Sequence, residues 1–241
     1  MFTRYFSIIL MFCCAHAVGQ VKSIGLPYVK NFTKDMYRHH PRNLAIARGT
    51  TGIMYFGNGD GLLEFDGINW NMLSMPNKSA VTSLCVDKGD GKLYVGAQGE
   101  FGYIEPDSLG NISYVSLSKG LPKGTAGFGD IWKIQASDGT VTAIASNMIM
   151  TRDVNGKWAI VKPLGHFFPG FEVRDRIFVF DSGQGLLELR DNQLFALRES
   201  DILRGRHITV MVPYGERNIV IGSEDGSLFM YDGIQVLPWK T

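Results

Sequence analysis

From about residue 43 the chain alternates apolar and polar positions in short runs. Examples are Leu44-Ala45-Ile46-Ala47, Val81-Thr82-Ser83-Leu84-Cys85-Val86, Ile131-Trp132-Lys133-Ile134 and Ile208-Thr209-Val210-Met211-Val212. Runs of β-branched and aromatic residues bounded by Gly, Asp and Asn predict strands joined by hairpin turns. Asp-Gly pairs stand at 60–61, 66–67, 90–91, 138–139, 225–226 and 232–233, where glycine supplies positive φ without steric cost. No helical periodicity stands out after residue 20.

The runs repeat. "GIMYFGNGDGLLEFDG" (52–67) returns as "NIVIGSEDGSLFMYDG" (218–233), as "RIFVFDSGQGLLELRDN" (176–192) and as "KLYVGAQGEFGYIEPD" (92–107). Gly61 to Gly102 and Gly185 to Gly226 are both 41 positions, and Gly61 to Gly185 is 124, about three such steps. A fifth unit is therefore expected between them. The stretch 131–158 keeps the strand pattern without the glycine-rich turn. Four strands in a unit of roughly 40 residues is the pattern of a β-propeller blade. The expected fold is all-β, with about five four-stranded antiparallel blades over 43–79, 80–127, 128–165, 166–207 and 208–241.

The glycines accordingly read as hairpin turns. Gly57, Gly59 and Gly61 give G-x-G-x-G followed by a strand, whereas a dinucleotide fingerprint needs G-x-G-x-x-G opening a helix. Asn58, Asp60, Glu64 and Asp66 do not follow the register of an EF-hand loop, leaving a single calcium ion on a turn as the metal alternative.

Composition matches a globular chain: 241 residues, 45% hydrophobic, 20% charged, net charge +1. There is no clustered basic footprint for nucleic acid. The first twenty residues, "MFTRYFSIILMFCCAHAVGQ", carry Arg4, an apolar stretch too short to span a membrane comfortably, and the A-x-A site Ala15-His16-Ala17. They read as a secretory signal peptide over 1–19, with an uncleaved anchor as the alternative. Cys13 and Cys14 lack the small residues that should precede a lipoprotein cysteine, leaving Cys85 alone in the mature chain as a buried small hydrophobe. Residues 20–42 are expected to be an extended lead-in, with a ring-closing strand over 28–32.

Candidate chemistry is sparse. His39, His40, His166 and His207 show no metal-ligand spacing, and no G-x-S-x-G elbow exists. Asp107-Ser108-Leu109-Gly110 falls in a turn. Trp70, Trp158 and Trp239 are expected to pack between blades. Trp132 opens the first strand of the third unit, near the axis of a propeller. It forms, with Glu100, Phe101 and Asp130, the candidate channel-side ligand-binding set. No catalytic, cofactor or metal residue is assigned.

The unit resembles the two-component regulator propeller repeat, carried here by Gly52-Ile53-Met54-Tyr55-Phe56-Gly57-Asn58, Gly61-Leu62 and Phe65-Asp66-Gly67. Units three and four depart from it at Ala145-Ser146-Asn147 and Asp181-Ser182. The resemblance is to the opening blades of Bacteroidetes envelope regulators. It implies a periplasmic or cell-envelope sensing propeller, non-catalytic itself, followed by a triple-tyrosine domain, one membrane helix, and a histidine kinase or LuxR-type helix-turn-helix. Such propellers have seven blades, so five units are expected to be an incomplete ring whose partners are the missing blades and C-terminal domains of the same protein. A closed five-bladed ring is the alternative. Three functions follow: a sensor of a glycan or other periplasmic ligand or partner, a propeller-fold carbohydrate-active enzyme (glycosidase or lyase), and a plain interaction scaffold. No cofactor and no direct nucleic-acid contact are expected.

Overall fold

In the computed structural model the described residues are 29–106, 112–125, 127–168 and 170–239. The expected signal peptide, residues 20–28 and the turn at 107–110 lie outside them. Among the described residues, strands form five four-stranded antiparallel sheets, each in simple chain order. Blade one is β1 (Asn43–Arg48), β2 (Met54–Asn58), β3 (Gly61–Phe65) and β4 (Trp70–Leu73). Blade two is β5 (Val81–Val86), β6 (Leu93–Ala97), β7 (Glu100–Pro106) and β8 (Ile112–Ser116). Blade three is β9 (Ile131–Ser137), β10 (Thr140–Ala145), β11 (Ile149–Arg152) and β12 (Trp158–Val161). Blade four is β13 (Phe171–Val173), β14 (Arg176–Asp181), β15 (Gly185–Arg190) and β16 (Gln193–Ala196). Blade five is β17 (Ile208–Tyr214), β18 (Asn218–Ser223), β19 (Leu228–Tyr231) and β20 (Val236–Pro238).

First strands of successive blades lie side by side, β1 with β5, β5 with β9 and β13 with β17, so they are the innermost strands of a β-propeller arc. Each seam holds its own apolar cluster. Tyr55 and Leu62 meet Val81 and Val95 between blades one and two, and Tyr94 and Phe101 meet Ile131 and Ile134 between two and three. Ile144 and Ile149 meet Phe167 and Val179 between three and four, and Phe178, Phe180 and Leu186 meet Ile208 and Ile221 between four and five. Among the described residues no cluster joins blade five to blade one.

An innermost strand has one edge without a ladder partner, and its amides need acceptors. At the seam between blades two and three, every second side chain from Ser83 in β5 to Asp87 just after it supplies them. Ser83 Oγ accepts from the Ile134 N–H at 2.9 Å, Cys85 Sγ from the Ala136 N–H at 3.3 Å, and Asp87 from the Asp138 and Gly139 N–H groups at 3.3 and 3.0 Å. Cys85 is thus half-buried as part of this zipper and not only a hydrophobic filler. Burial pushes its thiol pKa up.

Two expectations are revised. Gly102 is not the counterpart of Gly61: register pairs Asn58 with Gly61 but Ala97 with Glu100, so Gly102 lies two residues into β7. A Cβ there would overlap the Val115 carbonyl, so this glycine serves close approach of β8 rather than a turn. The lead-in also differs. Residues 29–33 carry no strand, and a single helical turn, α1 (Lys34–Tyr37), follows with Tyr37 as its one buried side chain. One turn leaves no periodic signature in the sequence.

Residues 34–42 are pinned to blade one. Asn58 Nδ2 donates to the His40 carbonyl and to Asn43 Oδ1, each at 2.7 Å, and the His40 N–H donates to Asp60 Oδ2 at 2.8 Å. The Gly59 N–H donates to the Arg42 carbonyl at 3.1 Å, and the His40 ring lies where a Gly59 Cβ would be. Tyr37 then meets Trp70 at 5.5 Å, and Trp70 stacks on Phe65 at 4.3 Å and meets Phe56 at 5.5 Å. These residues lie on the face of blade one turned away from blade two, where Leu63 is fully buried.

Candidate binding site at the inner-strand mouth

The register of the innermost strands singles out one position in each blade. Asn43 pairs with Asn58 and Ala45 with Gly57, leaving Leu44 bulged. Val81 and Ser83 pair with Ala97 and Gly96, leaving Thr82. Ile131 and Lys133 pair with Ala145 and Ile144, leaving Trp132. Ile208 and Val210 pair with Ser223 and Gly222, leaving Thr209. In blade four the bridge from Phe167 to Asp181 makes Phe168 the corresponding residue. A bulge re-aims its extra side chain out of the pleat. Because the innermost strands all run the same way, these five residues share one end of the arc.

Two of the five are tied down and three are open. Thr82 Oγ1 donates to the Ile131 carbonyl at 2.8 Å, bridging adjacent innermost strands, and Thr209 Oγ1 donates to the Gly222 carbonyl at 3.3 Å. Trp132 is 43% exposed, and Phe168 and Leu44 are each 37% exposed. Polar groups flank them one residue upstream of the strand starts. His207 Nδ1 lies 3.0 Å from Glu224 Oε2, and the His207 ring meets Phe168 edge-on at 5.8 Å. Asp130 is half-buried and bridges Gln98, and His166 and Arg42 are exposed. An aromatic face beside a histidine–carboxylate pair can stack on the apolar side of a ligand while hydrogen-bonding its polar rim.

Of the four residues singled out in the sequence, Trp132 and Asp130 stand at this mouth. Glu100 and Phe101 do not reach it; they lie on β7, the third strand of blade two. Phe101 is fully buried in edge-to-face contact with Phe128 at 5.6 Å and Trp158 at 5.9 Å. Glu100 is buried, and its Oε1 accepts from the Phe101 N–H (2.9 Å), Tyr114 (3.2 Å), Ser116 (2.8 Å) and Ser118 (2.6 Å). Burial first, and then the Glu100 charge, push the Tyr114 hydroxyl well above its usual pKa. This carboxylate fastens β8 and the turn after it to β7. Phe168 and His207 were not assigned a role in the sequence. The signal that finds them is their place immediately beside the residue that opens an innermost strand.

Among the described residues no group of three or more His, Cys, Asp or Glu is arranged to hold a metal ion, and no helix is long and apolar enough to cross a membrane. No protein-family model matches the sequence, and a search of curated proteins finds no match. Solved structures do match in fold. A virginiamycin B lyase from Staphylococcus aureus superposes with TM-score 0.57 at 14% identity, over 77% of this chain and 64% of that one. The WD40 β-propeller domain of Doa1 gives 0.60 at 11%, over 81% and 66%. The extracellular domain of a B. thetaiotaomicron protein described as a hybrid two component system gives 0.58 at 12%, over 82% and 31%. The chain is a β-propeller fold that spans less than two thirds of each of these structures.

Proposed function

We propose that this chain is the exported sensing region of a membrane-spanning signal-transduction or transcription regulator, binding a periplasmic ligand or partner and doing no chemistry itself. The observation that carries the reading is the mouth, where Trp132 and Phe168 are held out to solvent by strand register instead of being buried at a seam. The shared fold with an extracellular domain of a two-component protein supports it, as do the repeat motifs and the secretory leader. The ligand class we favour is a glycan fragment, whose sugar faces stack on aromatic rings.

A lyase-like enzyme is the second reading, favoured by the exposed His207–Glu224 pair beside Phe168 and by the fold shared with a propeller lyase. The two are separated by incubating the mature protein with polysaccharide digests and following tryptophan fluorescence and product formation. The sensor reading expects saturable binding without turnover, weakened at least tenfold in Trp132→Ala and Phe168→Ala, a loss on the order of one stacking contact. Turnover abolished by His207→Ala would establish the enzyme instead.

A further inference from the structure

We propose that the seam between blades two and three holds a second binding site, at the end opposite the mouth, for a hydroxylated monocarboxylate about the size of one sugar. Arg152 is its anchor, and the Tyr94 and Tyr103 hydroxyls are its further donors. The site follows from how the seam is filled. Toward the mouth, Phe101 and Phe128 close it edge to face. Toward the hairpin end, blade three presents Gly139, Val141 and Val154 to the rings of Tyr94 and Tyr103, and a cavity of about 220 Å³ remains. Asp90, Lys92 and Arg152 also line it. Arg152 ends β11 on the face that carries Met150, which packs against blade two. Pockets for drug-sized ligands start at about 300 Å³, so this one suits a smaller molecule.

Three arginines are half-buried among the described residues: Arg152, Arg176 and Arg206. Arg176 holds Glu188 and Arg206 holds Asp225, whereas Arg152 has neither a hydrogen bond nor an ion pair. A half-buried charge without a partner is costly. The phenols beside it repeat the pattern. Tyr94 is 5% exposed, yet its hydroxyl has no partner among the described residues, and neither has that of Tyr103. Tyr114 and Tyr231, by contrast, donate to Glu100 and to the Gly233 carbonyl. Buried donors are normally matched. Burial first, and then the Asp90 charge, push the Tyr94 pKa up to about 12, so this hydroxyl stays a donor at physiological pH.

A guanidinium and two phenols lining one cavity supply donors, and a carboxylate is the planar acceptor that an arginine fork grips with two bonds. Lys92 is already engaged: its Nζ lies 3.3 Å from Asp90 Oδ2 and 5.0 Å from the Tyr103 ring centroid. Asp90 on the same wall can accept from a ligand hydroxyl and repels a second negative charge, which selects a monocarboxylate over a phosphate dianion.

The test titrates gluconate and glucuronate into the full chain, with glucose and inorganic phosphate as controls. NMR follows the Arg152 Nε–H and the amides of residues 92–94 and 139–141. The expected result is saturable shifts of these signals with the two acids, with binding weakened about tenfold in Arg152→Gln and in Tyr94→Phe. Both variants should keep the parent's Tm within about 2 °C, because neither group bonds to anything in the fold. The proposal is overturned if neither acid moves these signals, if glucose or phosphate moves them as strongly, or if Arg152→Gln binds as the parent does. A larger Tm loss in Arg152→Gln would also overturn it, by showing the guanidinium committed to the fold. The signals lie at the opposite end from Trp132 and Phe168, so this outcome and the fate of the sensing reading are read separately.

Discussion

The two ends of the arc are built from the same repeat and finished differently. At blade one the outward face carries Leu63, Phe56, Met72 and Trp70, and nine residues of lead-in fold back onto it, where Tyr37 packs against Trp70. At blade five the outward sheet face, the opposite side of the repeat, carries Val210, Val212, Leu228 and Leu237, and among the described residues Trp239 returns there to meet Tyr214 at 4.9 Å. The difference teaches that a blade is not a self-sufficient unit. Its strands are satisfied within the sheet, but each face needs a neighbour, and a single aromatic turn suffices only where hydrogen bonds fix it in place.

The largest effect that sharpens this contrast comes from one change made at both ends. Leu63→Ala, at a fully buried site, should cost about 2–5 kcal/mol through lost transfer energy and a cavity. Leu228→Ala, 42% exposed, should cost well under about 1 kcal/mol. Urea unfolding of both variants measures the pair; equal costs would mean that the ends are equally covered.

A smaller effect tests what holds the cap. Asn58 is fully buried and donates through Nδ2 to the His40 carbonyl of the lead-in and to Asn43 Oδ1 of β1, while its Oδ1 accepts from the Asp60 N–H at 3.0 Å. Asn58→Ala leaves those groups without partners, at about 1–3 kcal/mol. Hydrogen exchange should speed up over residues 37–43 and leave blade five unchanged.

Acid should act on the other end. Arg176 grips Glu188 with two hydrogen bonds of 2.7 Å and reaches Tyr231 of blade five at 3.2 Å; Arg190 holds the same carboxylate. Burial alone would raise the Glu188 pKa, but the hydrogen bonds from Arg176 and Arg190 outweigh it and leave the pKa below its usual value. A depressed carboxylate pKa contributes stability that is present above the unfolded value and is lost as pH falls through the folded one. The seam between blades four and five should therefore loosen in acid, below the ordinary glutamate range. Glu188→Gln should flatten that dependence in a pH series of Tm values, where an unchanged slope would remove the network from the account.

Strand identity and blade number were legible because every hairpin announces itself twice, through a Gly, Asp or Asn turn and through period-two alternation around it. The faces were less legible. Ile219 and Ile221 alternate as Leu228 and Met230 do, yet the isoleucines bury against blade four and the other two point the opposite way. Only cross-strand register decides that. The candidate site was partly legible: Trp132 stands at a strand start, whereas Phe168 follows an isolated bridge, from Phe167 to Asp181, that precedes β13. Glu100 opens β7 at the register position that the spacing assigned to Gly102, and its side chain is turned to β8 instead of to the mouth. The lead-in helix was invisible because its order comes from Asn58 and Asp60, 18 and 20 residues downstream of the backbone that they hold.

The smallest expected effect separates the mouth from both ends. Trp132 is large and apolar, and if it served as a seam residue its removal would cost about 3–5 kcal/mol, as for a buried tryptophan. Its bulged position takes it out of the ladder, its neighbours Ile131 and Lys133 face blades two and four, and 43% of it meets solvent. Trp132→Ala should thus change stability by less than about 1 kcal/mol, a loss smaller than that of Leu63→Ala. Thr82→Val is the companion variant at the same level. It breaks the 2.8 Å bond to the Ile131 carbonyl and should cost about 1 kcal/mol despite removing no apolar contact. Denaturant titration of the two variants gives their order directly: a tryptophan loss larger than the threonine loss would assign Trp132 to the core and withdraw the mouth as a site.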